Sequence, residues 1–73
     1  PVTRSNFAHR IDLMALSERQ RAVLNGIVAG LSNREIADNL SVSENTVKYH
    51  IKNIYLILDV KDRVELLVRL HNQ

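Results

Sequence analysis

Apolar residues return at helical spacing in four places along this chain, and a capping residue stands ahead of each. The first stripe is Val23, Leu24, Ile27, Val28 and Leu31, one face of an amphipathic helix. Ser17 precedes it as N-cap, and Gln20 three residues on closes a capping box. Glu18 falls in the first turn, where the helix dipole favours an anion. Gly30 is placed to end the helix in the left-handed conformation, so the span reads 17–29. A second helix follows at once. Ser32 caps it, Glu35 completes a second box, and Leu31 with Ile36 makes a hydrophobic staple. Its inner face is Ile36, Ala37 and Leu40, with Ala37 small enough to let a neighbouring helix come close. At about two turns it cannot persist alone in water and must be held by packing.

Three residues, Ser41-Val42-Ser43, then join this helix to a longer one. That is the spacing of a helix-turn-helix. Val42 points inward and pairs with Val47 as a second staple, while Ser43 caps. The third helix covers about 44–58. Val47, Ile51, Ile54 and Leu58 form its dry stripe; Asn45, Lys48, Tyr49 and Lys52 form a second, polar stripe on another side. Asp59 interrupts, Val60 turns back toward the core, and Asp62 with Glu65 makes a third capping box. The fourth helix covers about 63–71. Leu66 and Leu70 share one of its faces; Val64, Leu67, Val68 and His71 share another. Apolar residues on both sides of a nine-residue outer helix predict that one side packs on the domain, while the other is left exposed or meets a partner.

No strand signal appears, so the fold class is all-α, four helices over residues 16–73 with a helix-turn-helix at the centre. Residues 1–15 carry Phe7, Ile11 and Met14 at i, i+4 and i+7. Two readings of them stay open, a linker or a short lead-in helix.

Composition narrows the function classes. Seventy-three residues make one small domain. Without cysteine there is no disulfide, thiolate metal site or thiol nucleophile. His9, His50 and His71 lack the spacing of a helical metal site, so no metal or other cofactor is expected. No paired acids or nucleophile–base arrangement points to an enzyme. Only three aromatics, Phe7, Tyr49 and Tyr55, are present, so the core must be aliphatic. No apolar run approaches a membrane span and no signal peptide is visible, so a cytoplasmic domain with no membrane partner is expected. A start at Pro1 reads as a fragment or processed chain. The net charge is only +2. Across 31–53, Arg34, Lys48 and Lys52 are cancelled by Glu35, Asp38 and Glu44. A nucleic-acid reading must therefore rest on where the cations point rather than on their sum.

The residues Leu16-Ser17-Glu18-Arg19-Gln20, Gly30-Leu31-Ser32-Asn33-Arg34-Glu35-Ile36-Ala37, Val42-Ser43, Thr46-Val47-Lys48, His50 and Asn53-Ile54-Tyr55 closely resemble the LuxR-type helix-turn-helix domain, also called the NarL/FixJ type. The resemblance covers about 16–71. The segment Lys61-Asp62-Arg63-Val64-Glu65-Leu66 is similar to the matching stretch of one nitrate regulator, which favours the response-regulator branch. The resemblance implies a sequence-specific domain of a bacterial transcriptional regulator. Such a domain binds two half-sites of double-stranded DNA as a dimer and follows an N-terminal regulatory domain in the full-length chain. Its third helix would lie in the major groove, with Lys48, Tyr49 and Lys52 facing bases. Ser43, Asn45 and Thr46 would lie near the phosphate backbone. The fourth helix would be the homodimer interface, through Val64, Leu67, Val68 and His71.

The chain departs from that family pattern at four positions. Gln20 stands for a usual Glu, Ile57 for a frequent Lys, Asp59 for a frequent Gly or Asn, and Tyr49 for a common Val. Ile57 puts a phosphate contact carried by that position in doubt, and Tyr49 does the same for thymine-methyl contact while offering a ring to stack or a hydroxyl to donate.

Side-chain chemistry agrees with these roles. Lys is a donor-only charge suited to guanine O6 and N7 or to phosphate. Lys48 and Lys52 sit one turn apart, roughly 6 Å along the axis. Asn45 can bond a phosphate or a base edge at the positive end of the helix dipole. Arg34 has two readings, a backbone clamp or an i, i+4 partner of Asp38. His50 reads as structural or phosphate-side, Asn53 as an internal hydrogen-bonding residue, and Tyr55 as partly buried. The rival to DNA binding is a protein-interaction module of the same fold.

Overall fold

The computed structural model describes residues 13–72. Phe7 and Ile11 lie outside them. The described chain opens with a 3-10 turn, Leu13–Ala15. Four helices follow: α1 (Glu18–Val28), α2 (Asn33–Leu40), α3 (Glu44–Leu58) and α4 (Arg63–His71). No strand occurs among the described residues. Met14 is mostly exposed, and Leu16 is the first residue of the core.

Local signals set the helix starts. The Ser17 hydroxyl accepts the Gln20 N–H at 3.1 Å, and Gln20 Oε1 accepts the Ser17 N–H at 2.8 Å. Ser32 and Glu35 repeat the arrangement with the same two distances. Ser43 accepts the Thr46 N–H. Each cap satisfies a helix donor that would otherwise lack a partner, typically about 1 kcal/mol. The third expected box differs. Asp62 caps α4 by accepting the Glu65 N–H, but the Glu65 carboxylate takes the Lys61 N–H, at 2.7 Å, not that of Asp62. The backbone explains the shift. Asp62 is fully extended at φ −156°, whereas the three serine caps lie between −69° and −77°. Rotation about N–Cα turns the Asp62 N–H away and presents the preceding one.

Helix ends are equally specific. Gly30, at φ +83°, closes α1: its N–H reaches Ile27 O, and the Leu31 N–H reaches Gly26 O. This is the paired bonding of a Schellman cap. Ser41 closes α2 at φ +57° with the equivalent bonds to Asp38 O and Ala37 O. Asp59 closes α3 at φ +56°, and Val60 behind it is buried.

The core is aliphatic. It gathers Val23, Leu24 and Ile27 of α1, Ile36 and Ala37 of α2, Val47, Ile54 and Leu58 of α3, and Leu66 of α4. Leu31, Leu40, Val42, Ile51 and Leu70 pack around it, half-buried. Val28 is a correction to the expected stripe, since it is 57% exposed. It lies one residue past Ile27, about 100° around the helix, on the side that α2 and α3 leave uncovered. Ala37 is buried in the core. Where α1 meets α2, a side chain cannot fit at Gly26. A Cβ there would lie 2.6 Å from Ile36 Cγ1.

Two arginines tie separate elements together. Arg19 of α1 donates to Leu40 O at the end of α2, at 3.3 Å. Arg63 of α4 donates to Ile27 O and Leu31 O around the end of α1, at 3.2 and 3.4 Å. Each places a cation against carbonyls at the negative end of a helix dipole.

Candidate nucleic-acid interface

α3 is divided along its length. Val47, Ile54 and Leu58 are buried, Ile51 is half-buried, and Asn45, Lys48, Tyr49 and Lys52 are exposed. The buried side fixes the rotation of the helix about its axis. The exposed stripe therefore has a defined direction. Lys48 and Lys52 stand one above the other, one turn apart. Tyr49 is 64% exposed, so its ring lies largely in solvent. It meets the half-buried His50 ring at 5.9 Å between centroids, tilted by 58°.

The start of α3 is well ordered by its own side chains. Ser43 Oγ and Thr46 Oγ1 lie 2.9 Å apart, and Ser43 Oγ also accepts the Thr46 N–H. The backbone N–H groups of Glu44 and Asn45 precede that capped donor and carry the positive end of the dipole. The exposed Glu44 carboxylate sits in the same turn and offsets part of it.

Arg34 is exposed near the start of α2. No ion pair joins it to Asp38 among the described residues, so its guanidinium is uncommitted. Glu35 next to it is held below its ordinary carboxyl value of 4.5, first by accepting the Ser32 N–H and then by the Ser32 hydroxyl. Tyr55 is half-buried, and that burial pushes its phenol above its ordinary value; the Arg63 charge opposes this and the Asp62 charge adds to it. Asn53 is half-buried but its side chain makes no hydrogen bond among the described residues, contrary to the internal bond expected of it. Its polar end can reach water, so no partner is required.

Beside the exposed stripe runs an open groove of about 370 Å³. Lys48 and Lys52 line one side, Ile51 and Tyr55 lie along it, and Lys61 and Asn33 complete it from the α3–α4 connection and from α2. Lys61 and Asn33 were not among the expected site residues. Nothing local marks them, because they reach the groove only through the tertiary packing of α2 and the turn at Asp59. Further along α3, Leu56 is 70% exposed and Ile57 is half out of the core. On α4, Val64, Leu67 and Val68 are exposed, as is His71. The second apolar face of this helix is thus open in the single chain. No helix among the described residues is long and apolar enough to cross a membrane.

Comparison with known proteins adds the family context. A family model described as "Bacterial regulatory proteins, luxR family" matches residues 14–70. The chain is 49% identical over 49 residues to the nitrate/nitrite response regulator protein NarP of Escherichia coli, covering 67% of this chain and 23% of that protein. It is 39% identical over 62 residues to the nitrate/nitrite response regulator protein NarL of the same species, covering 85% and 29%. It is 44% identical over 54 residues to the transcriptional regulatory protein LnrK of Bacillus subtilis, covering 74% and 24%. The chain spans about a quarter of the length of the curated relatives it matches.

Proposed function

The chain belongs to the luxR family of bacterial regulatory proteins, and from that premise we propose that it reads operator DNA for a transcriptional regulator, with α3 in the major groove. The family is one of regulators and not of enzymes. One observation carries the reading: a single exposed side of α3 presents Asn45, Lys48, Tyr49 and Lys52, while Val47, Ile54 and Leu58 lock the opposite side into the core. A recognition helix needs both properties at once.

The roles follow from chemistry and position. Lys48 and Lys52 donate to acceptors on base edges, guanine O6 and N7 above all. Tyr49 lays its ring against the groove wall or donates its hydroxyl to phosphate. Ser43, Asn45 and Thr46 lie at the phosphates flanking the helix start, and uncommitted Arg34 clamps the backbone from α2. Two copies pair through Val64, Leu67, Val68 and His71 of α4, so that two α3 helices reach successive half-sites. NarP and NarL are named as response regulators and are several times longer than this chain. The full-length protein accordingly carries a regulatory domain ahead of residue 1, and it works in the cytoplasm, where a bacterial chromosome lies.

The test is titration of the chain against a duplex obtained by selection from random sequence. Lys48→Ala and Lys52→Ala each cost about 1–3 kcal/mol of binding and relax the preference at the base each one reads. If neither substitution weakens binding, α3 is not the reading helix.

A second reading is favoured by Leu56 and Ile57, which put exposed apolar surface on the same helix. In that reading the domain docks on another protein and does not bind DNA productively. A flat response of affinity to salt would favour it over the DNA reading, since phosphate contacts release counterions.

A further inference from the structure

The groove beside α3 holds a third cation whose place the recognition stripe does not explain. Lys48, Lys52 and Lys61 all line this one groove, and among the described residues no carboxylate does. Three lysines lining a space of about 370 Å³ raise the positive potential there, which favours a polyanion along the groove.

Lys61 is also held in place more firmly than a surface lysine needs to be. Its own N–H is bonded to the Glu65 carboxylate at 2.7 Å. Val60 before it is anchored in the core, and Asp62 after it caps α4. The main chain at Lys61 is therefore fixed from three directions, while the side chain is exposed and makes no ion pair among the described residues. The same groove is also lined by apolar Ile51 and Leu56, which give it an apolar floor. Such a floor offers no hydrogen bond and suits the sugar and methyl surfaces of a nucleotide strand.

We propose that this groove seats one sugar–phosphate strand of the bound duplex, with Lys61 as a sequence-independent phosphate anchor opposite Lys48 and Lys52. The proposal rests on the DNA-binding reading above and adds to it a second contact element, outside the helix-turn-helix. Lys61 and the α3 lysines divide the work. The α3 lysines choose the sequence, and Lys61 sets how deeply α3 enters by fixing the strand that borders it.

The experiment compares the unsubstituted chain with Lys61→Ala, Lys61→Arg and Lys48→Ala. Each is titrated against a selected duplex and a scrambled one at about 50 and about 200 mM salt. Lys61 is exposed, so far-UV circular dichroism of Lys61→Ala should match that of the parent. Lys61→Ala lowers affinity for both duplexes by a common factor. That factor shrinks about 3.5-fold between the two salt concentrations, because loss of one phosphate contact removes about 0.9 from the salt slope. Lys61→Arg restores both affinity and slope, whereas Lys48→Ala narrows the gap between the selected and scrambled duplexes. An unchanged salt slope in Lys61→Ala, with Lys48→Ala still impaired, overturns the anchor and leaves the DNA-binding reading standing. A loss confined to the selected duplex overturns it too, by making Lys61 a base reader. A folded parent chain that binds neither duplex overturns both readings together.

Discussion

Gly26→Ala probes the seam on which the helix-turn-helix is mounted. Gly26 lies in the last turn of α1, where alanine is favoured over glycine by up to about 0.8–1 kcal/mol. On helix propensity alone the substitution stabilises. The structure opposes it, because the new Cβ would stand 2.6 Å from Ile36 Cγ1 and 3.0 Å from Cδ1. Ile36 is 1% exposed and cannot swing away. Overpacking of this kind costs about 1–3 kcal/mol, so the net expectation is a loss of about 1 kcal/mol. In a domain of this size that lowers Tm by about 4–8 °C. Urea unfolding followed by circular dichroism measures it. The decisive control is the same change in an Ile36→Ala background. Both γ-carbons are then gone, and the atom left nearest is Ile36 Cβ at 3.6 Å, an ordinary contact. Gly26→Ala should now stabilise by about 1 kcal/mol, reversing sign. Ile36→Ala itself costs about 2–5 kcal/mol, so the pair is compared in sucrose, which strengthens burial. Stabilisation by Gly26→Ala in the parent chain would refute the close approach of α1 and α2.

Two further outcomes are expected. Glu35 has a folded-state pKa below its ordinary 4.5, so its contribution to stability is complete above about pH 4.5 and is lost as pH falls through the lowered value. Glu35→Gln keeps the cap, as Gln20 does in α1, but removes this titration; the urea midpoint of the variant should therefore fall less than that of the parent between about pH 7 and about pH 3, and equal falls would count against the sign. Leu67→Asp places a charge on the open face of α4 without entering the core; sedimentation on a duplex with two half-sites should show one chain bound where the parent shows two, and unchanged two-chain occupancy would remove α4 from the interface.

The parts of the fold that could be read in the sequence are those decided within four residues. Ser17 with Gln20, Ser32 with Glu35, Ser43, and Gly30 after Val28 all act on their own helix end. The element spans follow from them, and 44–58 and 63–71 agree with α3 and α4. The errors arise where a third element decides. Val28 matches a helical stripe by spacing, but whether that side is covered depends on where α2 and α3 lie. Glu65 has the spacing of a capping box, and only the extended backbone of Asp62 shows that it serves Lys61. The same holds at the candidate site. Lys48, Tyr49 and Lys52 share a visible period, whereas Lys61 joins them only through the left-handed turn at Asp59. Arg19 and Arg63 could not be assigned at all from sequence spacing, because the carbonyls they bond lie 21 to 36 residues away.

The central claim is that the exposed side of α3 is where DNA lies. Amide chemical-shift mapping by NMR, with the selected duplex added stepwise to the labelled chain, tests it most directly. The largest changes are expected at 43–53, with Arg34 and Lys61 also moving, while Arg21, Asn25 and Val28 on the outer side of α1 stay still. Changes centred on that outer side of α1, with 43–53 unperturbed, would contradict the claim.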